Sequence, residues 1–265
     1  MSKELVQKQF GAHAAAYATS RVHAKGASLA RVVDLVAPQK TWRALDIATG
    51  AGHTALAFAP HVAHVIASDI TEEMLAEARK LADEKRLANV ETARADAEAL
   101  PFPDASFDLV TSRIAPHHFP DPARFVREVA RVLRSGGTFA LVDNIAPDQE
   151  STPGFTAADL THAAATYNAF EKLRDPSHAR CLGMAEWASL MQAAGLQVTH
   201  KERIPKDMEF DPWAVRLGCD AETVETLRGM LRGGSPALTA FLKPREVDGV
   251  LWFTLDEAIM IGKRL

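Results

Sequence analysis

Apolar positions along this chain follow two alternating periods. Leu5, Val6 and Phe10, then Leu29, Val32, Val33, Leu35 and Val36, recur at helical spacing, which predicts N-terminal helices within residues 1–37, closed by Pro38. Ala44, Leu45, Ile47 and Ala48 form a short continuous run, the mark of a buried strand, broken only by Asp46. Gly50-Ala51-Gly52 then makes a tight turn and a helix starts at His53. Further strands are predicted over 64–68, 90–95, 107–113 and 138–142. Between them, Thr71 caps a helix with Met74, Leu75, Ala78, Leu81 and Ala82 inward, and Pro122 opens one with Phe125, Val126, Val129, Val132 and Leu133 inward. From Asn144 to Gly183 the strand pattern lapses and a helix over 155–173 replaces it. A helix over 184–194, a strand over 196–204, a helical stretch over 211–232 and a last strand over 258–264 complete the chain. Alternation of this kind predicts a doubly wound α/β sheet.

Composition narrows the class. With 265 residues, 47% hydrophobic and 24% charged, the chain suits one globular domain carrying a cap, and a disordered or fibrous protein is excluded. A net charge of −4 without any dense Lys/Arg block leaves no visible footprint for nucleic acid. The N-terminus lacks a signal-peptide core and there is no run of about 18 apolar residues, so no membrane partner and a cytoplasmic location are expected. Cys181 and Cys219 stand far apart without metal-ligand spacing, which predicts free thiols, no disulfide and no metal site. A homodimer stays open.

The candidate chemistry begins at the first turn. Glycines at 50 and 52 permit positive φ and close approach to bare backbone, and the helix start offers unpaired N–H groups. Gly50 to Ala55 fits the dinucleotide fingerprint G-x-G-x-x-G/A, with Asp69 lying 17 residues past Gly52, so a nicotinamide oxidoreductase is one reading. Asp46 is unusual inside an apolar strand, because a buried carboxylate needs partners; it serves the loop or the ligand. The run L-D-I-A-T-G-A-G from Leu45 to Gly52 resembles motif I of the class I S-adenosylmethionine (SAM)-dependent methyltransferases, whose acidic residue stands four positions before the first loop glycine.

The resemblance sharpens downstream. Asp96 to Arg113, D-A-E-A-L-P-F-P-D-A-S-F-D-L-V-T-S-R, is very similar to the ubiquinone/menaquinone-type branch (methyltransferase domain 11-like), and Arg131 to Asp143 resembles its closing V-L-K-P-G-G motif followed by a strand. Phe10 to His23 resembles that branch's leading segment, which covers the cofactor and brings Tyr17 to it. Asp143 to Pro147, Arg174 to His178, Phe210 to Trp213 and Glu257 to Arg264 together resemble the YcgJ-like bacterial members over almost the whole length. What this implies is a Rossmann-like sheet of seven strands with an antiparallel last strand, in one methyltransferase domain over 1–265 with a cap insertion at 144–183. It also implies SAM as cofactor, held by Asp46, Ala48, Gly50 and Gly52, with Asp69 on the ribose, Asp96 and Ala97 at the adenine, and Ile70 and Met74 beside the ring. The implied activity is methyl transfer to a small organic acceptor. Oxygen or carbon is the favoured target, since the chain lacks the N-P-P-Y motif of many amino-group methyltransferases. A SAM-binding protein without transferase activity, regulatory or recruited to dealkylation or dehalogenation, fits the same cofactor motifs.

Two groups remain for the acceptor. Past strand four, His117 and His118 follow Arg113 where the methyl group should project; in an extended segment they point opposite ways, so His117 is expected at the methyl group as base and His118 beneath the loop. Arg113 is expected to serve both catalysis and cofactor. Arg174, His178 and Arg180, in the cap, are expected to bind an anionic or strongly polar part of the acceptor.

Overall fold

A computed structural model describes residues 3–11, 14 and 26–265. Five parallel strands, β1 (Arg43–Ile47), β2 (His64–Asp69), β3 (Val90–Arg94), β4 (Phe107–Arg113) and β5 (Leu133–Asn144), form most of one sheet. β6 (Leu196–Glu209), β7 (Arg245–Val247) and β8 (Val250–Arg264) complete it. The order is β3-β2-β1-β4-β5-β8-β6, with β8 antiparallel to both neighbours and β7 paired to the outer part of β8. The described residues therefore hold eight strands rather than seven. The added one comes from the turn Asp248-Gly249, both residues at positive φ (51° and 78°), which joins β7 to β8 as a two-residue hairpin. Beyond Glu257, β8 leaves β5 and continues with β6 alone as far as Trp252, making a ribbon outside the main sheet.

Ten helices are described: α1 (Lys3–Gly11), α2 (Ala27–Val36), α3 (His53–Phe58), α4 (Glu72–Glu84), α5 (Pro122–Val132), α6 (Ala157–Arg174), α7 (Met184–Ala193), α8 (Phe210–Val215), α9 (Ala221–Arg232) and α10 (Pro236–Leu242). The central strands are buried on both faces, which is why they read as unbroken apolar runs. Val32, Phe58, Val65, Leu109, Val142 and Ile259 pack on one face, and Leu45, Val110, Phe125, Phe139, Trp187 and Met260 on the other. α6 begins with a capping box between Thr156 and Asp159, and α5 with Asp121 as cap and Pro122 in its first turn.

The helical stretch expected over 211–232 is two helices, because Gly218 turns at φ +81° and Asp220 caps a new start. α10, absent from the sequence reading, is capped by Ser235 with Pro236 in its first turn. α6 packs against α9 and α10. Phe170 stacks on Trp213 at 5.0 Å, and Trp213 meets Phe253 of the ribbon edge-on at 4.9 Å. Residues 144–183 thus share their helical layer with residues 210–242. Thr71 stands at the N-cap of α4 without a side-chain cap bond, its hydroxyl and its N–H both directed to the Asp69 carboxylate. Tyr17 lies outside the described residues.

Candidate active site

The parallel strand order reverses between β1 and β4, where ligands of doubly wound sheets bind. There the loop after β1 carries positive φ at Ala48 (52°), Gly50 (53°) and Gly52 (87°). A Cβ on Gly52 would come within 2.9 Å of Ala78 Cβ, so that glycine lets the loop pack against α4; one on Gly50 would meet nothing within 4 Å, leaving bare backbone open to a ligand. Asp46 lies beneath the loop, its two oxygens accepting at 2.6 Å each from the Thr111 and Thr49 hydroxyls. Burial pushes its pKa up to about 6, against the two hydroxyls and the nearby Arg113. Asp46 therefore braces the loop and does not line the cleft, nor does Gly52. Asp46→Ala strands both hydroxyls and should destabilise the fold by about 2–3 kcal/mol. Asp46→Asn, which keeps an acceptor, should cost less than about 1 kcal/mol; equal melting temperatures for the alanine variant and wild type would refute the bracing role.

Above this loop opens a cleft of about 1020 Å³, counted out to solvent. Of the expected cofactor residues, Ala48, Gly50, Asp69, Ile70, Met74, Asp96, Ala97 and Arg113 all line it. Asp69 accepts from the N–H of Gly50 through Oδ2 and of Thr71 through Oδ1, both at 2.9 Å, and the Thr71 hydroxyl and the Ile70 N–H also lie against it. Sequence reasoning missed how far α1 reaches: Lys3, Val6 and Phe10 line the cleft too. Lys3 Nζ lies 2.6 Å from Asp96 Oδ2 and 2.7 Å from Glu98 Oε2, and Gln7 donates to the Ile70 carbonyl at 2.9 Å. Burial would raise the Asp96 pKa, but Lys3 and the Glu98 N–H outweigh it and hold it below the usual range.

At the far end, β4 passes into Ile114, whose φ of +54° is strained for a β-branched side chain and is held by its N–H to the Val142 carbonyl at 2.8 Å. A 3₁₀ turn over Pro116–His118 follows. Successive side chains in such a turn stand about 120° apart rather than opposite. The two histidine rings consequently lie side by side, their centroids 4.2 Å apart. His118 is the one on the cleft wall, with Phe10 edge-on at 5.0 Å and Nδ1 donating to the Ser177 carbonyl at 3.0 Å. His117 sits behind it, Nδ1 at 2.6 Å from Asp143 Oδ1 at the end of β5. The expected arrangement of the two is thus exchanged. Burial and the neighbouring His117 push His118 down to about 3, whereas the Asp143 carboxylate overcomes burial and holds His117 above the usual histidine value. Arg113 lines the cleft and donates from Nε to Thr54 Oγ1 at 3.1 Å.

Comparison with known proteins gives this geometry a family. A methyltransferase domain family matches residues 45–141. The uncharacterized methyltransferase YcgJ of Bacillus subtilis is 39% identical over 213 residues, 80% of each chain. The chain belongs to the class I SAM-dependent methyltransferases. The solved structure of the Bacillus subtilis YcgJ protein superposes with a TM-score of 0.79 at 36% identity, over 89% of this chain and 97% of that one. A demethylmenaquinone methyltransferase of Listeria monocytogenes is 31% identical over 175 residues, 61% of this chain and 72% of its own. The cofactor is SAM, and the nicotinamide reading that the glycines alone allowed falls away. The cleft fits SAM: the Asp69 carboxylate stands on its wall, Gly50 presents open backbone, and Ile70, Met74 and Ala97 provide an apolar wall.

The residues expected to bind the acceptor fare differently from those for the cofactor. None of Arg174, His178 and Arg180 lines this methyltransferase's cleft, and they do not form one cluster. Arg174 lies over the Trp213 ring at 4.3 Å and donates to the Trp213 carbonyl, His178 Nε2 is bonded to Asn168 at 2.9 Å, and Arg180 pairs with Glu186 at the surface. Burial and adjacent cationic groups push His178 down to about 2, so it stays neutral. Among the described residues, buried side-chain atoms left without a hydrogen-bond partner include Asp143 Oδ2 and Glu171 Oε1, while the Tyr167 hydroxyl meets the Cys181 thiol, a weak partner. Each such atom costs about 1–3 kcal/mol. The sequence signalled Asp143 only by its place at a strand end, and Tyr167 and Glu171 only by their spacing of four on α6. Among the described residues no helix is long and apolar enough to cross a membrane, and no group of three or more His, Cys, Asp or Glu is placed to hold a metal ion.

Proposed function

We propose that this enzyme methylates an oxygen or carbon atom of a small organic acceptor, and that His117, set behind the His118 ring that lines the cleft, takes the acceptor's proton through an intervening water. The observation that carries this reading is the buried His117–Asp143 pair, 2.6 Å between Nδ1 and Oδ1, one ring behind the cleft wall. Bound SAM supplies a methyl group on a cationic sulfur and departs as a neutral thioether. Ala48, Gly50, Asp69, Ile70, Met74, Asp96 and Ala97 would hold its nucleoside, and the Arg113 guanidinium its carboxylate end. α1 and, in our reading, the 144–183 cap exclude water and align the two reactants, an effect that can reach about 7–11 kcal/mol. Asp143 accepts the Nδ1 proton and so leaves the Nε2 lone pair of His117 to receive the proton released as the new C–O or C–C bond forms. The net charge of −4 supports a small molecule rather than nucleic acid as acceptor.

Because Asp143 holds His117 above its usual pKa of about 6.5, the ring is protonated at lower pH and competent as base only above its raised value. The rate constant kcat/KM should therefore rise with pH through 6.5 and beyond, then level off. His117→Gln should lose this limb; a profile that falls over the same range in the wild type would sink the base assignment. Transfer of labelled methyl from SAM to panels of alcohols, enols, carboxylic acids, thiols and amines tests the acceptor. Label found only on nitrogen or sulfur would refute the oxygen or carbon reading.

A further inference from the structure

α1 meets the cleft with one face. Lys3, Val6 and Phe10, spaced by three and four, line it together, while Gln7 on the same side donates to the Ile70 carbonyl at 2.9 Å. Lys3 makes the shortest of these contacts. Its Nζ stands between two carboxylates, 2.6 Å from Asp96 Oδ2 and 2.7 Å from Glu98 Oε2, and all three residues belong to the cleft wall. The other oxygen of each carboxylate is held by backbone: Asp96 Oδ1 accepts from the Glu98 N–H at 3.0 Å, and Glu98 Oε1 from the Asp121 N–H at 2.7 Å. Lys3 therefore closes a chain of short bonds that runs from the loop after β3 to the cap of α5.

Without that ammonium the arrangement would not stand. Two carboxylates reached by one nitrogen repel each other, and Glu98, 6% exposed, has little water to screen it. Glu98 is tied to Asp121 as well, so Asp96, the more exposed of the two, is the one that would turn away. Lys3 and the Glu98 N–H keep the Asp96 carboxyl ionised against the burial that would neutralise it. We propose that Lys3 is a positioning residue for the cofactor: by bridging Asp96 to Glu98 it fixes the Asp96 carboxylate where the 6-amino group of the adenine donates to it, and so sets the enzyme's choice of adenine. The proposal rests on the placing of Asp96 at the adenine. A carboxylate already charged and held from both sides accepts the amino N–H without reorienting as the cofactor docks. Ile70, expected beside the same ring, takes Gln7 of α1, so two side chains separate the effects of one helix. Lys3 acts on a carboxylate, and Gln7 only on the seating of the helix.

The test uses the full chain and two probes, S-adenosylhomocysteine and its analogue with hydrogen in place of the adenine 6-amino group. Calorimetric titration of the wild type should show the adenine form binding at least about tenfold more tightly, as one charge-assisted hydrogen bond allows. Lys3→Met, which keeps the apolar stem, should lower that ratio by at least about threefold, and Lys3→Arg should restore most of it. Gln7→Ala, the control for α1 itself, should weaken both probes alike and leave the ratio unchanged. A ratio that holds or rises in Lys3→Met would overturn the proposal alone. An equal fall of the ratio in Gln7→Ala would overturn it too, since the seating of the helix and not the ammonium would then set the choice. A wild-type ratio near one would instead remove Asp96 from the adenine, and the proposal with it.

Discussion

His117→Ala is expected to lower kcat by roughly 10²–10⁴-fold while SAM affinity stays within about twofold of wild type. The ring stands behind the cleft wall and makes its one short polar contact with Asp143 at 2.6 Å, so its loss removes a base and not a cofactor contact. Asp143→Asn should fall in the same range, because an amide cannot hold the proton on Nδ1 as a carboxylate does, and the lone pair would shift away from the acceptor. The asparagine is preferred over alanine at 143, since removing one partner of a buried ion pair typically costs about 3–5 kcal/mol and would confound the rate with folding. His118→Ala supplies the contrast: its neutral ring faces the cleft, so KM for the acceptor should change more than kcat. A decrease below about fivefold for His117→Ala would leave alignment alone as the source of rate and remove His117 from the mechanism.

Asp69→Ala is expected to weaken SAM binding by at least about tenfold, or about 1.4 kcal/mol. Two losses combine there. The carboxylate can accept from both ribose hydroxyls, charge-assisted bonds of about 1.5–3 kcal/mol each, and it also holds the N–H of Gly50 and of Thr71, which set the loop and the start of α4. Burial raises its pKa against those N–H groups, so the buried ion is stabilised by the loop that it organises. Asp69→Asn should recover part of the loop geometry but less of the affinity. Calorimetric titration of SAM decides the matter, and unchanged affinity in Asp69→Ala would withdraw the ribose assignment.

The two ends of the cleft were unequally legible in the sequence. The cofactor end is built from residues close in sequence to strand ends, and Ala48, Gly50, Asp69, Ile70, Met74, Asp96 and Ala97 all reach the cleft because a βα turn places its residues locally. Asp46 was visible as an anomaly, but its partners Thr49 and Thr111 come from the loop after β1 and from β4, so whether it faced ligand or loop was not readable. The acceptor end depends on contacts across large sequence separations: Asp143 with His117, Ser177 with His118, Trp213 with Arg174. Periodicity says nothing of those.

Resemblance to a methyltransferase family, and not local physics, named the cofactor. By itself the sequence determined the order of the elements, the doubly wound sheet and the glycine loop. Each of these follows from short-range physics: the apolar period that buries a strand on two faces, the positive φ that only a few residues accept, the N–H groups at a helix start. Tertiary structure alone decided which histidine meets the cleft. The chain over Pro116–His118 is a 3₁₀ turn rather than extended, and that rotation sets the two rings side by side. It also decided the fate of Arg174, which Trp213 captures from another segment. Such captures are a property of packing between distant segments and are written in no local pattern.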